Sequence, residues 1–562
     1  MRRQTKNILF LMYDQLRHDY LSCAGHPHLE TTHMDRLANM GVRFSNTYVQ
    51  SPICGASRMS FYTGRYTSSH GAQWNNHPLK VGELTMGDHL RAVGMDSWLV
   101  GKTHMKADEV GMSRLGLSPD SKNGARVAEC GFDIYTRDDG LWAQGPDGFY
   151  DNKRSPYNEF LKSKGYEAEN PWHDFANAGV DENGDVASGF LMMYADKPAN
   201  IAEEDSETPW LTSQAIDFIE GRNGDRGWMC HVSFIKPHWP YIVPAPYHNM
   251  YGHNQVLPPQ RHAAEKTDPH PIYQQFSENQ IGRAFQRDDV RNTVVPAYMG
   301  LVKQCDDQLG RLLDYLEDSG RIKDTMIVLT SDHGDYLGDH WLGEKDLFHD
   351  PSVKVPLIIF DPADLADKTR GTVCDHLVES IDLAATFVDV AGGDVPDHIL
   401  EGRSLLPILH GNQPADWREF AVSEYDYSAT GAAVHLKVAP KDARLFMIAD
   451  RQWKFVHAEG GFRPMLFDLV NDPEEFFDLG GDQTYADVIA QMYARLGAWS
   501  RRMSQRTTVS EQEIINRRSG GSARTGILLG LYDGSEVSED LLEKYRGRAP
   551  ERPGTGKNSQ TR

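Results

Sequence analysis

Several short apolar runs end abruptly in polar residues, and this pattern constrains the fold more than any other feature of the chain. Ile8 to Tyr13 and Met326 to Thr330 are continuous runs of the kind found in parallel strands that are covered on both faces. Predicted helices alternate with such runs, as at Thr31 to Met40 and in the long amphipathic stretch from Val294 to Leu316. This alternation predicts an α/β fold in which helices on both faces cover a large mixed, mostly parallel sheet.

The remaining segments predict two domains and an extension. Further strands are expected at 42–49, 95–100, 228–234 and 355–360, and further helices at 84–93, 209–221 and 381–390. After about Leu406, strands at 444–449 and 453–456 and a helix at 485–503 predict a smaller α+β domain with an antiparallel sheet. We therefore expect a large N-terminal domain at 1–405, a smaller domain at 406–505, and an extension at 506–562 that is a tail or an oligomerisation arm. The weakly patterned interval 105–208 is expected to be an insertion that covers the substrate.

Polar clusters occur where the predicted strands end. They are Asp14 with Gln15, Cys54 with Arg58, Lys102 with His104, His238, and Asp332 with His333. Taken alone, each has a structural explanation: Asp14 could cap a helix, and His238 could be a satisfied core histidine. In open α/β sheets, however, ligands bind at the carboxyl ends of the strands. Because the clusters coincide at that edge, the sequence predicts a functional site there.

Cys54 follows an extended segment that contains Pro52 and precedes a run that can start a helix. The N-terminus of a helix attracts anions through its free N–H groups and its dipole. Arg58 lies about one turn further along and can face the same anion. The alternative at this point is a buried structural cysteine, since free cysteines are among the most buried residues.

The other clusters supply metal ligands and cations. Asp14, Gln15, Asp332 and His333, with an oxygen at position 54, would form a divalent-metal site. Carboxylates suit Ca²⁺, whereas an imidazole shifts the preference toward Mn²⁺. The cationic or proton-donating side chains predicted to surround a bound anion are Arg58, Lys102, His104, His238 and Lys345.

Composition excludes several classes of protein. A net charge of −22 over 562 residues argues against nucleic-acid binding, which needs a basic face. The six cysteines are scattered without C-x-x-C pairs, so neither a disulfide framework nor a zinc knuckle is expected. No run predicts a signal peptide or a membrane span, and a cytoplasmic location is expected. The acidic surface and the extension are compatible with a homo-oligomer, a dimer or a tetramer.

The segment around Cys54 resembles the signature of the sulfatase family, in which C-x-P-S-R is followed by T-G-R. Cys54, Ser57, Arg58 and Thr63-Gly64-Arg65 match, and Ala56 stands where the family has Pro. The resemblance extends over roughly 7–503. Its other motifs are 101–104 (G-K-T-H), 236–240 (K-P-H-W-P), 331–334 (S-D-H-G), 338–340 with Lys345, 401–407 and 466–475.

The resemblance implies an alkaline-phosphatase-like fold and a particular nucleophile. In the family the signature cysteine is oxidised to formylglycine (3-oxoalanine) by a maturation enzyme, so that enzyme is an expected partner. Applied to Cys54, the aldehyde would hydrate to a gem-diol whose hydroxyl attacks sulfur, and the second hydroxyl would expel the sulfate and restore the aldehyde. His238 would protonate the leaving group, with Lys345 or His104 assisting, and Arg58 would hold the hydrate or the sulfate.

The resemblance also implies the remaining site residues and the substrate. Lys102, His104 and Lys345 match residues that contact sulfate, and Asn75 lies where the arylsulfatase and phosphonate monoester hydrolase branch has an Asn near the substrate. The phosphonate hydrolases carry Tyr and Thr at the positions of Lys102 and His104, whereas true sulfatases carry the Lys/His pair. The prediction is therefore metal-dependent hydrolysis of sulfate monoesters, small anionic esters of the arylsulfatase type. The alternatives are hydrolysis of phosphonate monoesters or phosphodiesters at the same site, alone or beside sulfate ester hydrolysis, and a non-catalytic anion-binding protein whose Cys54 stays a thiol because of Ala56.

Overall fold

A computed structural model describes residues 4–118, 121–140, 155–222, 224, 226–502, 507–519 and 535. The described residues of Met1–Val395 and Leu400–Arg502 form one compact unit. Those of Pro396–Ile399 and Met503–Arg562 form a second unit, which contains one α-helix at Glu511–Ser519. Apart from 507–519 and Ser535, the predicted extension at 506–562 lies outside the described residues.

The strands are short and mostly buried. In chain order they are β1 (Asn7–Asp14), β2 (Val42–Tyr48), β3 (Asp96–Gly101), β4 (Asp133–Arg137), β5 (Ala178–Val180), β6 (Val186–Ser188), β7 (Trp228–Pro237), β8 (Thr325–Ser331), β9 (Leu357–Phe360), β10 (Thr372–Glu379), β11 (Ala421–Asp426), β12 (Arg444–Ala449), β13 (Trp453–Ala458) and β14 (Met465–Asp468).

The α-helices range from a single turn to the long helix predicted before β8. They are α1 (Thr32–Met40), α2 (Cys54–Thr63), α3 (Thr67–His70), α4 (Met86–Ala92), α5 (Glu109–Arg114), α6 (Lys122–Ala128), α7 (Pro156–Ser163), α8 (Glu207–Glu220), α9 (Pro271–Ser277), α10 (Gln280–Phe285), α11 (Asp288–Asp318), α12 (Asp350–Val353), α13 (Asp382–Val390), α14 (Leu406–Leu409), α15 (Gly431–His435), α16 (Ala486–Ser500) and α17 (Glu511–Ser519).

The large sheet has the strand order β10-β2-β9-β8-β1-β7-β3-β4. Within the described residues all of its strands run parallel except β9, which is antiparallel to both β8 and β2. A second sheet, β11-β12-β13-β14, is antiparallel. The prediction of a mixed, mostly parallel sheet with a smaller antiparallel one is therefore confirmed.

Both faces of the large sheet are covered, which explains the unbroken apolar runs. In β1, Phe10 and Met12 belong to a core beneath α2, α4 and α13, whereas Leu11 belongs to the opposite core beneath α1, α8 and α11. Each fully buried side chain of this size contributes about 1.5–3 kcal/mol by its removal from water. The core beneath α2 continues into the antiparallel sheet through Met447 and Val456, so the two sheets share one apolar layer.

Part of the interval 105–208, which was predicted to be an insertion, belongs to the large sheet. Asp133–Arg137 forms β4, which pairs in parallel with β3 at the edge of the large sheet. The positions 119–120 and 141–154 of this interval lie outside the described residues. The β5–β6 hairpin forms a separate two-stranded sheet. Among the described helices, none has the length and apolar character needed to cross a membrane.

Candidate active site

The register of the central strands brings the predicted polar clusters together. Tyr13 pairs with Ser331, so Asp14 and Asp332 follow side by side at the ends of β1 and β8. On the other side of β1, Asp14 pairs with Pro237, which directly precedes His238. Gly101 at the end of β3 pairs with Ser233 in β7, and Lys102 follows it. Parallel pairing alone therefore places four of the predicted clusters at one sheet edge.

Cys54 enters the same edge on the first residue of α2. Its side chain is 1% exposed. The Cys54 Sγ atom lies 3.0 Å from His333 Nε2, 3.0 Å from Lys345 Nζ and 4.0 Å from Asp14 Oδ1. Burial acts to raise the pKa of the thiol, but Lys345, then His333, outweigh it and hold that pKa well below its ordinary value. The site thus stabilises negative charge at position 54.

Arg58, one turn along α2, is fully buried and ties the two carboxylates together. Its Nε donates to Asp332 Oδ2 at 2.7 Å, and Nη2 donates to Asp14 Oδ2 at 3.2 Å. Nη1 donates to the Ser233 hydroxyl at 2.7 Å and to the Lys102 carbonyl at 3.1 Å. The guanidinium therefore donates hydrogen bonds to other protein groups, and its contact with a substrate stays a prediction.

A compact set of ligand atoms fits a divalent cation. One ligand atom each from Asp14, Cys54, Asp332 and His333 lies within 4.8 Å of all the others, and the four residues are buried. Burial acts to lower the pKa of His333, but Asp332 raises it and the value is about 8. A cation bound here would take the place of that proton, because a ligating imidazole must be neutral. Two carboxylates with an imidazole and a position-54 oxygen suit Ca²⁺ or Mn²⁺.

Gln15 lies at the edge of this set in a left-handed conformation, with φ of 68°. Its backbone N–H donates to Asp332 Oδ1 at 3.1 Å. Its side-chain Oε1 accepts from Lys345 Nζ at 3.4 Å. The carboxamide oxygen therefore faces the ammonium that contacts Cys54, and its role as a metal ligand stays a prediction.

Cations flank the nucleophile position. Lys102 Nζ donates to Asp14 Oδ2 at 2.7 Å. Burial and the Cys54 charge act to raise the pKa of Asp14, but Lys102 leads the cations that hold it below its ordinary value. Lys345 Nζ also lies 3.4 Å from His238 Nε2, so one ammonium bridges Cys54 and His238. These fixed positive groups are the kind that stabilise charge developing on a transferred anion.

His238 has a defined tautomer. Its Nδ1 lies 2.7 Å from the Trp239 carbonyl and must donate to it, which leaves Nε2 facing Lys345. Burial lowers the pKa of His238. Because Nδ1 is engaged, Nε2 is the ring nitrogen that faces the site and can exchange a proton there.

The last two predicted residues lie at the rim of the site. His104 is in a left-handed conformation, with φ of 55°, and its Nδ1 is buried with no hydrogen-bond partner among the described residues. A hydrogen bond from His104 contributes to the lowered pKa of Cys54. Asn75 Oδ1 accepts from the Gly55 N–H at 2.8 Å, beside Cys54 at the start of α2. All the predicted site residues are therefore in contact with Cys54 or with its neighbours.

Sequence reasoning missed a supporting network. Tyr241 donates to Asp335 Oδ2 at 2.7 Å, and the Gln15 carboxamide nitrogen also donates to Asp335. Asp139 is a further, partly buried carboxylate: burial acts to raise its pKa, but Arg137, then Lys102 and His104, lower it. Asp335 lies within the S-D-H-G-D segment, so this motif could have identified it as a site residue. No sequence pattern identifies Tyr241 or Asp139, because only the folded chain brings them to the site.

Family and sequence comparisons agree with this geometry. A model of the sulfatase family matches residues 6–393. A second model, described as the C-terminal part of N-sulphoglucosamine sulphohydrolase, matches 338–502. The multifunctional alkaline phosphatase superfamily protein PehA of Trinickia caryophylli is 31% identical over 531 residues, which cover 89% of this chain and 96% of that protein. An arylsulfatase of Clostridium perfringens is 26% identical, with coverage of 86% and 92% respectively.

Solved structures give the same result. A phosphonate monoester hydrolase from Silicibacter pomeroyi superposes with a TM-score of 0.78 and 28% identity, covering 89% of this chain and 96% of its own. The phosphonate monoester hydrolase of Agrobacterium radiobacter has a TM-score of 0.74 and 26% identity, covering 88% of this chain and 95% of its own. Since the sulfatase model spans well over half of the residues, the chain belongs to the sulfatase family and has an alkaline-phosphatase-like fold.

Proposed function

We propose that this sulfatase-family chain hydrolyses sulfate monoesters of the arylsulfatase type through a nucleophile made from Cys54. The observation that carries the proposal is the position of Cys54 Sγ, 3.0 Å from both Lys345 Nζ and His333 Nε2 at the start of α2. In this structure the sulfur stands where the oxygen of a formylglycine would stand. Oxidation to the aldehyde by a maturation enzyme would supply, after addition of water, an oxygen nucleophile that is regenerated in each cycle.

The chain's own residues account for binding and proton transfer. Lys102, His104 and Lys345 would bind the sulfate oxygens, with Asn75 at the rim. Arg58 holds the two carboxylates in position. As an imidazolium, His238 would give the proton on Nε2 to the departing ester oxygen, with the Lys345 ammonium 3.4 Å away to assist.

Asp14, Gln15, Asp332 and His333, together with residue 54, would hold one divalent cation, Ca²⁺ or Mn²⁺. The cation would lower the pKa of a hydroxyl at position 54 and offset the charge of the ester. The fit is supported by the buried carboxylates and imidazole around one point.

A second candidate is the hydrolysis of phosphonate monoesters or phosphodiesters at the same site. It is favoured by the likeness of the whole chain to the phosphonate monoester hydrolase of Silicibacter pomeroyi. The presence of Lys102 favours the hydrolysis of sulfate monoesters, because the phosphonate branch is expected to carry Tyr at this position. In the structure, Lys102 Nζ lies 2.7 Å from Asp14 Oδ2.

Other expectations from the sequence stay predictions. They are the domain division at 405 and 505, a homo-oligomer of two or four chains, a cytoplasmic location, and maturation despite Ala56.

The proposal is tested by the chemical state of residue 54 together with paired kinetics. The full chain is produced with and without a formylglycine-generating enzyme, and the peptide that contains Cys54 is weighed. We expect a mass about 18 Da lower after maturation and hydrolysis of 4-nitrophenyl sulfate only by that form. Removal of metal by a chelator should abolish turnover, and Ca²⁺ or Mn²⁺ should restore it.

The matched control is Cys54→Ala, which cannot be oxidised to the aldehyde and should lose activity by at least about a thousandfold. A larger kcat/KM for 4-nitrophenyl phenylphosphonate than for the sulfate would favour the second candidate. Fully matured, metal-loaded protein that hydrolyses neither ester would refute both. An unmodified thiol in active protein would refute the covalent route alone.

A further inference from the structure

A row of aromatic rings leads from His238 to the surface. The rings of His238 and Trp239 have centroids 4.6 Å apart. Trp239 meets Phe190 edge to face at 6.0 Å, and Phe190 stacks on His173 at 5.5 Å. His238 is buried, whereas Phe190 is 43% exposed. The row therefore connects the proposed proton donor with solvent along a continuous aromatic face.

Apolar side chains are exposed beside the outer end of this row. Leu191 is 55% exposed and Met193 is 69% exposed. Leu191 is next to Phe190 in the chain, and Met193 lies in the short 3₁₀-helix Met192–Tyr194 that follows. Several exposed apolar side chains close together in the chain favour a binding surface, whereas isolated ones need no such explanation.

The turn that carries Phe190 is fixed to the segment that carries His238. A Cβ on Gly189 would lie 2.5 Å from the Ile242 side chain, so the glycine permits a close approach of the turn to that segment. Lys236 Nζ donates to Asn177 Oδ1 at 2.9 Å, and the Ala199 N–H donates to the Val243 carbonyl at 3.0 Å. These contacts join the turn and the residues around it to the segment on either side of His238.

The orientation of His238 determines what lies next to this row. Nδ1 is engaged by the Trp239 carbonyl, so only Nε2 can give a proton to the departing oxygen. The group attached to that oxygen would lie beside His238, and Trp239 and Phe190 are the next rings in the row that begins at His238. The indole N–H of Trp239 is buried and lacks a hydrogen-bond partner among the described residues, which leaves it available to an acceptor on that group.

We propose that Trp239 and Phe190 form a leaving-group subsite, and that these two side chains determine the preference for aromatic over alkyl leaving groups. The inference rests on the proposed function, because it uses His238 as the proton donor. A phenol ring would stack against these side chains and bury their exposed faces, whereas a small alkyl group would leave them in water. The two residues would therefore determine specificity without touching the sulfate.

The test is Phe190→Ala in the matured, metal-loaded full chain, assayed with 4-nitrophenyl sulfate and ethyl sulfate. Loss of one aromatic contact should lower kcat/KM for the aryl ester about two- to tenfold, mainly through KM, and leave the ethyl ester unchanged. Leu191→Ala is the matched control, since Leu191 is exposed in the same turn but makes no ring contact with Trp239 among the described residues. Phe190→Tyr should restore the aryl preference.

Binding of the product provides a readout that does not depend on turnover. Calorimetric titration of the full chain with 4-nitrophenol should show binding that Phe190→Ala weakens by the same factor. Equal kinetic losses for both esters, equal losses in Leu191→Ala, or phenol binding that the substitution leaves unchanged would overturn the inference. A smaller oligomer of Phe190→Ala in light scattering, with unchanged kinetics, would reassign the surface to a contact between copies. Wild-type protein that binds the phenol but hydrolyses no ester would refute the proposed function and leave the subsite standing.

Discussion

Asp14 is fully buried, and its carboxylate is shared among several cations. Lys102 and Arg58 donate to Oδ2, and His333 Nε2 lies 3.6 Å from Oδ1. A charge removed from water in this way persists only when it is paired. The site therefore keeps its anions and cations in fixed positions before any ester arrives, and the same pairing makes individual residues indispensable to the fold.

Arg58→Gln tests this dependence at a single position. The substitution leaves the carboxylates of Asp14 and Asp332 buried without their shared guanidinium. Breaking a buried pair in this way costs about 3–5 kcal/mol. We expect the free energy of unfolding to fall by that amount in urea at pH 7.

The control is Arg36→Gln on α1. Arg36 bonds to Asp314 and Glu317 at 2.7 Å each, but these partners are exposed. Exposed ion pairs contribute about 0–1 kcal/mol, so this variant should unfold almost as the wild type does. Similar losses of unfolding free energy in the two variants would contradict the role of Arg58 in pairing with the two buried carboxylates.

The helix α2 shows what sequence periodicity cannot reveal about an element. All ten of its residues are buried, so it has no polar face and no apolar stripe to detect. Its start could be inferred only from the residues around Cys54, where an extended Ile53 precedes the first turn. Its end is set by Gly64, whose φ of 65° is left-handed.

Gly64→Ala tests how tightly the end of α2 is held. An added Cβ would meet the left-handed backbone penalty and would lie 2.7 Å from the Leu400 side chain and 2.8 Å from Ala384. The backbone penalty is about 1–2 kcal/mol, and overpacking adds about 1–3 kcal/mol. We expect a lower thermal midpoint, and reduced activity in the matured protein because α2 carries Cys54 and Arg58.

Gly320→Ala separates the two contributions. Gly320 has φ of 74°, but a Cβ there meets no atom within 4 Å among the described residues. It should show the backbone penalty alone and keep full activity. Equal destabilisation by the two substitutions would mean that Leu400 and Ala384 move aside for the added Cβ without a loss of stability.

At the scale of the whole molecule, the sequence predicted which residues lie at the ends of the strands. It did not predict which residues from distant segments would contact them. Asp14, Lys102, His238 and Asp332 were found because parallel strands deliver their carboxyl ends to one edge. The antiparallel direction of β9 was not predicted, since four apolar residues carry no sign of orientation. Tyr241 and Asp139 reach the site only through tertiary contacts, and no local pattern records those.

The antiparallel sheet makes ionic and hydrogen-bonding contacts with elements around it. Lys454 on β13 is buried and donates to Asp350 Oδ1 at 2.7 Å, and its Nζ lies 2.6 Å from Glu475 Oε1. Glu424 on β11 accepts from the Ser68 N–H at 3.0 Å, next to the start of α3. The antiparallel sheet is thus attached to α12 by the Lys454–Asp350 ion pair and to α3 by the Glu424–Ser68 hydrogen bond, as well as by the shared core. Such attachments make its stability depend on pH.

Glu424→Gln tests that dependence. Glu424 is 5% exposed, and burial raises its pKa from the ordinary 4.5 to about 7, although the Ser68 N–H acts to lower it. Between these values the folded protein binds more protons at this group than the unfolded chain does, so its contribution to stability is lost as pH rises through 7. Glutamine keeps an oxygen for the Ser68 N–H and cannot ionise. The variant should match the wild type at pH 5 and exceed it at pH 8 by up to about 3 kcal/mol.

The measurement is Tm from pH 5 to pH 8 for the wild type and the variant, because other titrating groups are common to both and cancel in the difference. Glu419→Gln, an exposed glutamate just before β11, is the control and should leave the difference near zero throughout. If Glu424→Gln lowers Tm equally at both ends of the range, the carboxylate is ionised in the folded protein and stabilises it through the Ser68 contact. If the difference grows between pH 5 and pH 7 and levels off above pH 7, the uncharged acid is the form that stabilises the contact between the antiparallel sheet and α3.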